Sequence, residues 1–257
     1  MSNEIKSKVR SQFGASADAY ATSHVHAKGE SLALLSALIT PQPTWQVLDV
    51  GSGAGHTAFL FSPHVRRVVV LDMTEKMVAK AVTLAATRGL RNIFATVADA
   101  EHLPFDNASF DLVTCRLAYH HFPTPDKALT EFARVLKPHG VLGFTDNITV
   151  PDEGEATYYN TFEQLRDPSH NWVYSLTLLL TNIEQAGFQV GATRKFRKEF
   201  EFQEWADRQH VSDDDKEKLL KMMKHVPARL KQLMAPRWAD GTLYFQLHEM
   251  VLVATKR

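Results

Sequence analysis

The stretch at residues 46–56 reads Gln-Val-Leu-Asp-Val-Gly-Ser-Gly-Ala-Gly-His and decides the fold of this 257-residue chain. A short apolar strand runs into glycines at positions 51, 53 and 55, and a helical pattern begins at Thr57. Strand, glycine turn and helix is the arrangement by which α/β proteins bring backbone against a nucleotide-like ligand. Glycine lacks a Cβ, so the turn can take positive φ and a ligand can approach the main chain. The stretch therefore predicts a ligand-binding turn at the N-terminus of a helix.

The ligand of this turn is left open by the motif alone. The spacing Gly-x-Gly-x-Gly departs from the Gly-x-Gly-x-x-Gly of dinucleotide enzymes, because position 56 is a histidine. Asp49 stands just before the turn, where a carboxylate suits an ammonium group or a polar network better than a pyrophosphate. A glycine-rich turn without any ligand is the alternative, because a motif needs its structural context.

Composition narrows the class of protein. Lysine plus arginine and aspartate plus glutamate each number 29, so there is no global basic field for nucleic acid or an anionic membrane. A single cysteine, Cys115, gives no disulfide framework and no cysteine metal cluster. No apolar run approaches the roughly 20 residues of a membrane span, and the N-terminus does not read as a secretory signal. We therefore expect a cytoplasmic protein without a membrane span.

Strands and helices alternate after residue 44. Strands are predicted at 45–50, 67–72, 92–97, 109–115 and 141–147, with helices at 54–61, 74–88 and 125–136. Strands alternating with helices are typical of a parallel, doubly wound α/β sheet with right-handed crossovers.

The chain on either side of this core has a different pattern. Helices are predicted at 3–13 and 29–39, and the small polar segment between them, with Tyr20 and His24, is either a lid or a plain surface loop. After residue 148 the sequence predicts helices at 154–167, 175–186 and across 202–235, with strands at 188–200 and 242–254. The last strand is expected to run antiparallel to its neighbours, so that the chain ends near the sheet edge. This divides a single 1–257 domain into an N-terminal helical lid (1–43), a cofactor-binding core (44–148) and a substrate-side half with helical insertions (149–257).

Acidic residues at the ends of successive strands indicate what the ligand is. Asp72 follows Gly51 by 21 positions, where a carboxylate can accept hydrogen bonds from both ribose hydroxyls, as in NAD enzymes. Asp99, one strand further on, can accept from an adenine amino group, and Ala100 leaves its N–H for a ring nitrogen. Together with Asp49 these positions suit ribose, adenine and ammonium groups without phosphate. S-adenosylmethionine meets those demands.

The chain resembles the class I S-adenosylmethionine-dependent methyltransferases, and most of all the group that includes the ubiquinone/menaquinone C-methyltransferases. The resemblance covers residues 45–148 and is carried by Val-Leu-Asp-Val-Gly-Ser-Gly-Ala-Gly at 47–55, Val-Leu-Asp-Met at 70–73, Asp-Ala-Glu-His-Leu-Pro-Phe at 99–105, Phe-Asp-Leu-Val at 110–113 and Glu-Phe-Ala-Arg-Val-Leu-Lys-Pro-His-Gly at 131–140.

The resemblance implies a seven-stranded Rossmann-like sheet of order 3-2-1-4-5-7-6 with strand seven antiparallel. It also implies S-adenosylmethionine as cofactor and carries cofactor contacts onto Asp49, Gly51, Gly53, Asp72, Met73, Asp99, Ala100 and Arg116. The expected activity is O- or C-methylation of a small molecule, with an aromatic or quinone-like acceptor, by a monomer or homodimer that binds no nucleic acid. A dinucleotide-dependent oxidoreductase and a non-catalytic S-adenosylmethionine-binding module remain alternatives.

Methyl transfer needs the nucleophile aligned and water excluded, and a general base helps when the nucleophile is a hydroxyl, an amine or an acidic carbon. His120 and His121 follow the fourth strand and are the catalytic candidates, because histidine titrates near neutrality. Their alternative role is to cap the turn or to stack on adenine. Asp146, Asn147 and His170 are assigned to the substrate side with Tyr20 and His24. No metal is expected, because Asp146 and Asn147 lack a matching third carboxylate.

Overall fold

The computed structural model describes residues 2–22 and 29–257, with side chains of the first helix described for residues 3–15. The strands are β1 (Gln46–Val50), β2 (Arg67–Asp72), β3 (Ile93–Val97), β4 (Phe110–Arg116), β5 (Leu136–Ile148), β6 (Phe188–Glu201), β7 (Arg237–Ala239) and β8 (Thr242–Lys256). The helices of the described part are α1 (Ser2–Thr22), α2 (Glu30–Leu38), α3 (His56–Phe61), α4 (Glu75–Thr87), α5 (Pro125–Val135), α6 (Glu153–Arg166), α7 (Leu176–Gln185), α8 (Phe202–Asp207), α9 (Asp213–Lys224) and α10 (Ala228–Met234). Short 3₁₀ turns lie at Ser62–His64 and Tyr119–His121.

The strands form one sheet of order β3-β2-β1-β4-β5-β8-β6. The first five are parallel, and β8 runs antiparallel to both β5 and β6. This confirms the predicted order with its antiparallel last strand. Strand β8 is inserted between β5 and β6 and leaves β6 outermost, which is the place that the predicted order gives to the last strand.

The short strand β7 was not predicted and makes the sheet eight-stranded. It pairs with the start of β8 through a two-residue turn at Asp240 and Gly241, whose φ angles are 49° and 79°. Asp-Gly with both residues at positive φ is a strong hairpin signal, so the sequence contained the information.

Both faces of the sheet are covered at its central strands, which explains the unbroken apolar runs of β1, β2 and β4. One face packs Leu48, Val113 and Phe144 against α5 and α7 side chains, and the other packs Val47, Val70 and Leu112 against α2, α3 and α4 side chains. A separate cluster around Trp205 and Phe245 joins α6, α8, α9 and α10.

Helix α1 is longer than predicted, since it runs to Thr22 instead of ending near residue 13. Alanines at 15, 17, 19 and 21 have high helix propensity, which outweighs Gly14. No helix of the described chain is long and apolar enough to cross a membrane.

Candidate functional site

A cavity lies at the carboxyl ends of the parallel strands, where ligands bind in open α/β sheets. Side chains from both the N-terminal and the C-terminal half of the sequence line this cavity. Among the predicted cofactor residues, its wall contains Gly51, Gly53, Asp72, Met73, Asp99, Ala100 and Arg116. His120, His121 and Asn147 also line it. The structure therefore brings together most of the residues that the sequence singled out.

The glycine turn is shaped for a ligand at one glycine and for packing at another. A Cβ on Gly51 would lie 2.5 Å from the Ala118 Cβ, whereas a Cβ on Gly53 would meet nothing within 4 Å. Both have positive φ, 62° and 51°. The buried Ser52 hydroxyl between them has no hydrogen-bond partner among the described residues. The open backbone at Gly53 and this orphaned hydroxyl fit a polar ligand lying across the turn.

Asp72 is held against the turn by backbone donors. Its Oδ2 accepts from the Gly53 N–H at 3.0 Å and its Oδ1 from the Thr74 N–H at 2.9 Å. Burial raises the pKa of this carboxyl. Each oxygen retains lone pairs toward the cavity, so the geometry fits two ribose hydroxyls.

Asp49 lies behind the cavity wall, only 1% exposed. Its carboxylate accepts from the Ala58 N–H at 3.1 Å and from the Thr114 hydroxyl at 2.7 Å. Burial raises its pKa to about 6 even though the Thr114 hydrogen bond and the Arg116 charge act in the opposite direction. The carboxylate ties α3 to β4, and its predicted contact with the cofactor stays a prediction.

Arg116 ends β4 on the same face and lines the cavity. Its Nε–H donates to the Thr57 hydroxyl at 3.0 Å, and its Nη1 lies 3.4 Å from the Ser31 hydroxyl. These two bonds fix a nearly buried cation, whose pKa burial lowers. Arg116 therefore places a positive charge at the cavity wall, and its predicted contact with the cofactor stays a prediction.

Helix α1 forms a roof over both ends of the cavity. The sequence predicted residues 1–43 as a helical lid but did not reveal the contacts that hold this helix. Lys6 donates to Asp99 Oδ2 at 2.7 Å and to Glu101 Oε2 at 2.5 Å. Seven positions along, Phe13 lines the cavity and meets the His121 ring edge-on at 5.0 Å. The available signal was the helical spacing of Lys6, Val9 and Phe13, which puts them on one face.

The second clamp on α1 is polar as well. Gln12 Nε2 donates to Gln209 Oε1 at 2.7 Å, on the C-terminal side of the cavity. The roof is therefore fixed at the end of Asp99 and Glu101 through Lys6 and at the far end through Gln12.

His120 is held by a carboxylate. Its Nδ1 lies 2.5 Å from Asp146 Oδ1, and its backbone N–H donates to Asp146 Oδ2 at 3.0 Å. Burial alone would lower the pKa of His120, and the charge and hydrogen bond of Asp146 raise it above its ordinary value. Asp146 is 2% exposed and does not line the cavity, so it acts on His120 from behind.

His121 lies beside His120, with ring centroids 4.1 Å apart and the rings tilted by 44°, yet its surroundings shift its pKa in the opposite direction. Its Nδ1 lies 3.0 Å from the Ser169 carbonyl oxygen. Burial and the neighbouring His120 lower its pKa to about 4. At neutral pH His121 is therefore uncharged, with Nδ1–H donating to Ser169 and Nε2 left as an acceptor.

The remaining predicted residues are placed less directly. His170 is buried behind His120, at 5.6 Å between ring centroids, where its Nε2 contacts Asn160 Oδ1 at 2.8 Å and not the cavity. Burial lowers its pKa well below the ordinary value. His24 and the side chain of Tyr20 lie outside the described residues.

Sequence reasoning missed the far wall of the cavity. This wall takes side chains from α6, β6, α8 and β8, including Arg166, Lys198, Phe200, Trp205, Arg208 and Glu249. For Lys198, Phe200 and Glu249 the sequence signal was the alternation of β6 and β8, which does not say which face is covered.

One cluster in the described chain has the residue types of a metal site: Asp99, Glu101 and His102. Lys6 bonds to both carboxylates, which places a fixed cation where a metal would lie. The expectation of no metal stays a prediction.

Comparison with known proteins gives the family. A family model described as a methyltransferase domain matches residues 48–144. The methyltransferase YcgJ of Bacillus subtilis, itself uncharacterised, is 34% identical over 215 residues, 83% of this chain and 84% of the relative. The chain belongs to the class I S-adenosylmethionine-dependent methyltransferases. It is an enzyme whose cofactor is S-adenosylmethionine.

Other relatives agree with this assignment. The crystal structure of Bacillus subtilis YcgJ superposes on this structure with a TM-score of 0.85 at 30% identity. The superposition covers 88% of this chain and 98% of the YcgJ chain. The ubiquinone/menaquinone biosynthesis C-methyltransferase UbiE of Brucella anthropi is 40% identical over 103 residues, 38% of this chain and 39% of the relative. These matches give no support to a dinucleotide oxidoreductase or to a non-catalytic binding module.

Proposed function

We propose that this methyltransferase methylates an oxygen or an acidic carbon of a small molecule, with His120 as the general base. The Asp146–His120 contact carries the proposal, since an oriented histidine beside a buried carboxylate is the usual form of such a base. Asp146 Oδ1 accepts a hydrogen bond from the His120 Nδ1–H, so the lone pair of the neutral imidazole is on Nε2. No described residue offers Nε2 a hydrogen bond, and His120 lines the cavity. Nε2 is therefore the atom that takes the acceptor's proton.

Bound S-adenosylmethionine supplies a methyl group activated by a positively charged sulfur. The chain's own task is to hold the acceptor in line, exclude water and remove one proton. On this proposal Asp72, Gly53, Asp99 and Arg116 position the adenosyl and amino-acid groups, while His121 stays neutral and accepts a hydrogen bond without competing for the proton.

The enclosure of the cavity supports a small acceptor. Helix α1 roofs it through Lys6 and Gln12, and the C-terminal half supplies the far wall. Phe122, Phe200 and Trp205 line it, so an aromatic or quinone-like acceptor fits its walls. We propose accordingly that residues 1–43 act as a lid, 44–148 bind cofactor and 149–257 bind acceptor. The match to UbiE covers only 38% of this chain, so what UbiE acts on does not decide this acceptor.

The test is a methyl-transfer screen with radiolabelled S-adenosylmethionine over phenols, quinols, enolisable carbonyls, amines and carboxylates. We expect methyl transfer to a phenol, quinol or enolisable compound. Methyl transfer to amines or carboxylates alone would contradict the proposal. So would the absence of methyl transfer to any of these compounds by a protein that binds S-adenosylhomocysteine.

A further inference from the structure

Glu249 on β8 is a buried carboxylate with one oxygen unpartnered. Only 4% of the residue is exposed, and it lines the cavity. Its Oε1 accepts from Lys198 Nζ at 2.5 Å, but Oε2 has no hydrogen-bond partner among the described residues. An unsatisfied buried carboxylate oxygen is costly, so native structures rarely leave one without a reason. The position suits a donor that comes from a bound molecule.

The register of the sheet places a second polar group beside this oxygen. Glu249 stands opposite Asn147 of β5, and opposed residues of paired strands project from the same face. Both line the cavity. No described residue hydrogen-bonds the Asn147 side-chain amide. A carboxylate oxygen and an amide therefore adjoin on the floor of the cavity.

Charge narrows what can bind there. Lys198 already balances Glu249, and the Arg116 guanidinium is close enough to feel the Glu249 charge. A cationic ligand group would face these two cations, and an anionic group would face Glu249 itself. A neutral donor, a hydroxyl or an amide N–H, satisfies Oε2 without either repulsion.

The neighbouring residue fixes where the reactive end lies. Asp146 and Asn147 are consecutive on β5 and so project to opposite faces of the sheet. Asp146 holds His120, whereas Asn147 adjoins Glu249. The base and the unpartnered carboxylate oxygen therefore approach the cavity from the two sides of the sheet edge. Both groups line the same cavity, so one acceptor lying across that edge would face the base and Glu249.

We infer that Glu249 is a specificity-determining residue, which accepts a hydrogen bond from a neutral hydroxyl or amide N–H of a planar acceptor. This donor is distinct from the group that receives the methyl and gives its proton to His120. Asn147 holds the same distal group, and Lys198 keeps the Glu249 carboxylate in place. The inference rests on the proposed function, because it describes the far end of the same acceptor.

The test compares catechol, resorcinol and hydroquinone with their monomethyl ethers, which keep one phenol and lose the second donor. Binding is measured by calorimetry with S-adenosylhomocysteine present, and methyl transfer with radiolabelled cofactor. We expect at least one diol to bind about 10- to 100-fold more tightly than its ether, the ratio given by a hydrogen bond to a charged group. Transfer should show that preference in KM more than in kcat.

The variant Glu249→Gln should abolish this preference. Lys198 keeps the amide oxygen as its acceptor, so an NH₂ group replaces Oε2 and faces the donor of the ligand. Binding of the ether and of S-adenosylhomocysteine should stay unchanged. The matched control is Glu199→Gln, since Glu199 forms an exposed ion pair with Arg237 at 3.3 Å outside the cavity wall. It should keep the full preference.

If Glu249→Gln does not fold, Asn147→Ala removes the neighbouring amide without touching the ion pair and should reduce the same preference. Equal binding of diol and ether by the unaltered protein, or no binding of any diol, would overturn the inference. So would a Glu249→Gln variant that keeps the preference or that loses affinity for S-adenosylhomocysteine. Methyl transfer without a diol preference would leave the proposed function standing and remove only this inference.

Discussion

The two ends of the cavity are built in different ways. The adenosyl end uses short segments directly after β1, β2 and β3, and its ligand-facing groups include backbone, as at Gly53. The acceptor end takes single side chains from α6, β6, α8 and β8, which are far apart in the sequence. A cofactor site made of local turns can be copied as a motif, whereas an acceptor site assembled from distant side chains is specific to each protein.

The largest effect at the acceptor end is expected from replacing the proposed general base, His120. The variant His120→Gln keeps a side chain of similar reach but cannot take up a proton, so turnover should fall about 10²–10⁴-fold, the usual value of general base catalysis. Affinity for S-adenosylhomocysteine, measured by calorimetry, should be unchanged. The control His225→Gln alters an exposed histidine that contacts the Lys221 carbonyl, and it should change neither turnover nor affinity for S-adenosylhomocysteine. Full turnover in His120→Gln would show that positioning alone suffices.

Substitutions at the adenosyl end should lower cofactor affinity and leave the methyl-transfer step unchanged. Replacing Asp72 by Ala removes the acceptor for two hydroxyls and the partner of Gly53 and Thr74, so cofactor affinity should fall by about 1.5–3 kcal/mol. Asp72→Asn keeps one acceptor oxygen and should lose less. Calorimetric titration with S-adenosylhomocysteine measures both variants. Unchanged affinity in folded Asp72→Ala would remove this carboxylate from the cofactor site.

The same contrast explains what the sequence could predict. The glycine turn and the positions of Asp72 and Asp99 at the cavity wall were predictable, because each lies in a short motif whose spacing reflects local geometry. The sheet order followed from the family resemblance that these motifs carry. The pairing of His120 with Asp146 joins residues 26 positions apart and depends on how β4 and β5 align. The roof contact of Lys6 with Asp99 spans 93 positions, and no local pattern encodes it. Glu249 was indistinguishable in the sequence from any other charged residue of an alternating strand.

The histidine pair gives a pH prediction. His120 must be neutral to accept a proton, and Asp146 raises its pKa, so kcat/KM should fall tenfold per pH unit below a pKa that lies above 6.5. Since the pKa of His121 is about 4, this residue stays neutral through the same pH range and adds no second change to the pH dependence of kcat/KM. In Asp146→Asn the acidic limb should move to lower pH, because the carboxylate that favours the imidazolium is gone. A limb that stays in place would exclude His120 as its source.

The smallest effect is expected at the roof. Lys6 is 12% exposed at its side chain and bridges α1 to Asp99 and Glu101, so Lys6→Met should loosen the helix over the adenosyl end. We expect faster amide hydrogen exchange across residues 3–15 and release of S-adenosylhomocysteine that is a few-fold faster, about the worth of one partly buried ion pair. The control is Lys8→Met on the same helix, since Lys8 is half exposed and, within the described residues, pairs with Glu4. In unaltered protein, S-adenosylhomocysteine should slow exchange in α1, because a ligand beneath a roof stabilises the closed state. Equal exchange with and without ligand would mean that α1 is a fixed wall and not a lid, and the cofactor would then have to enter from the acceptor side.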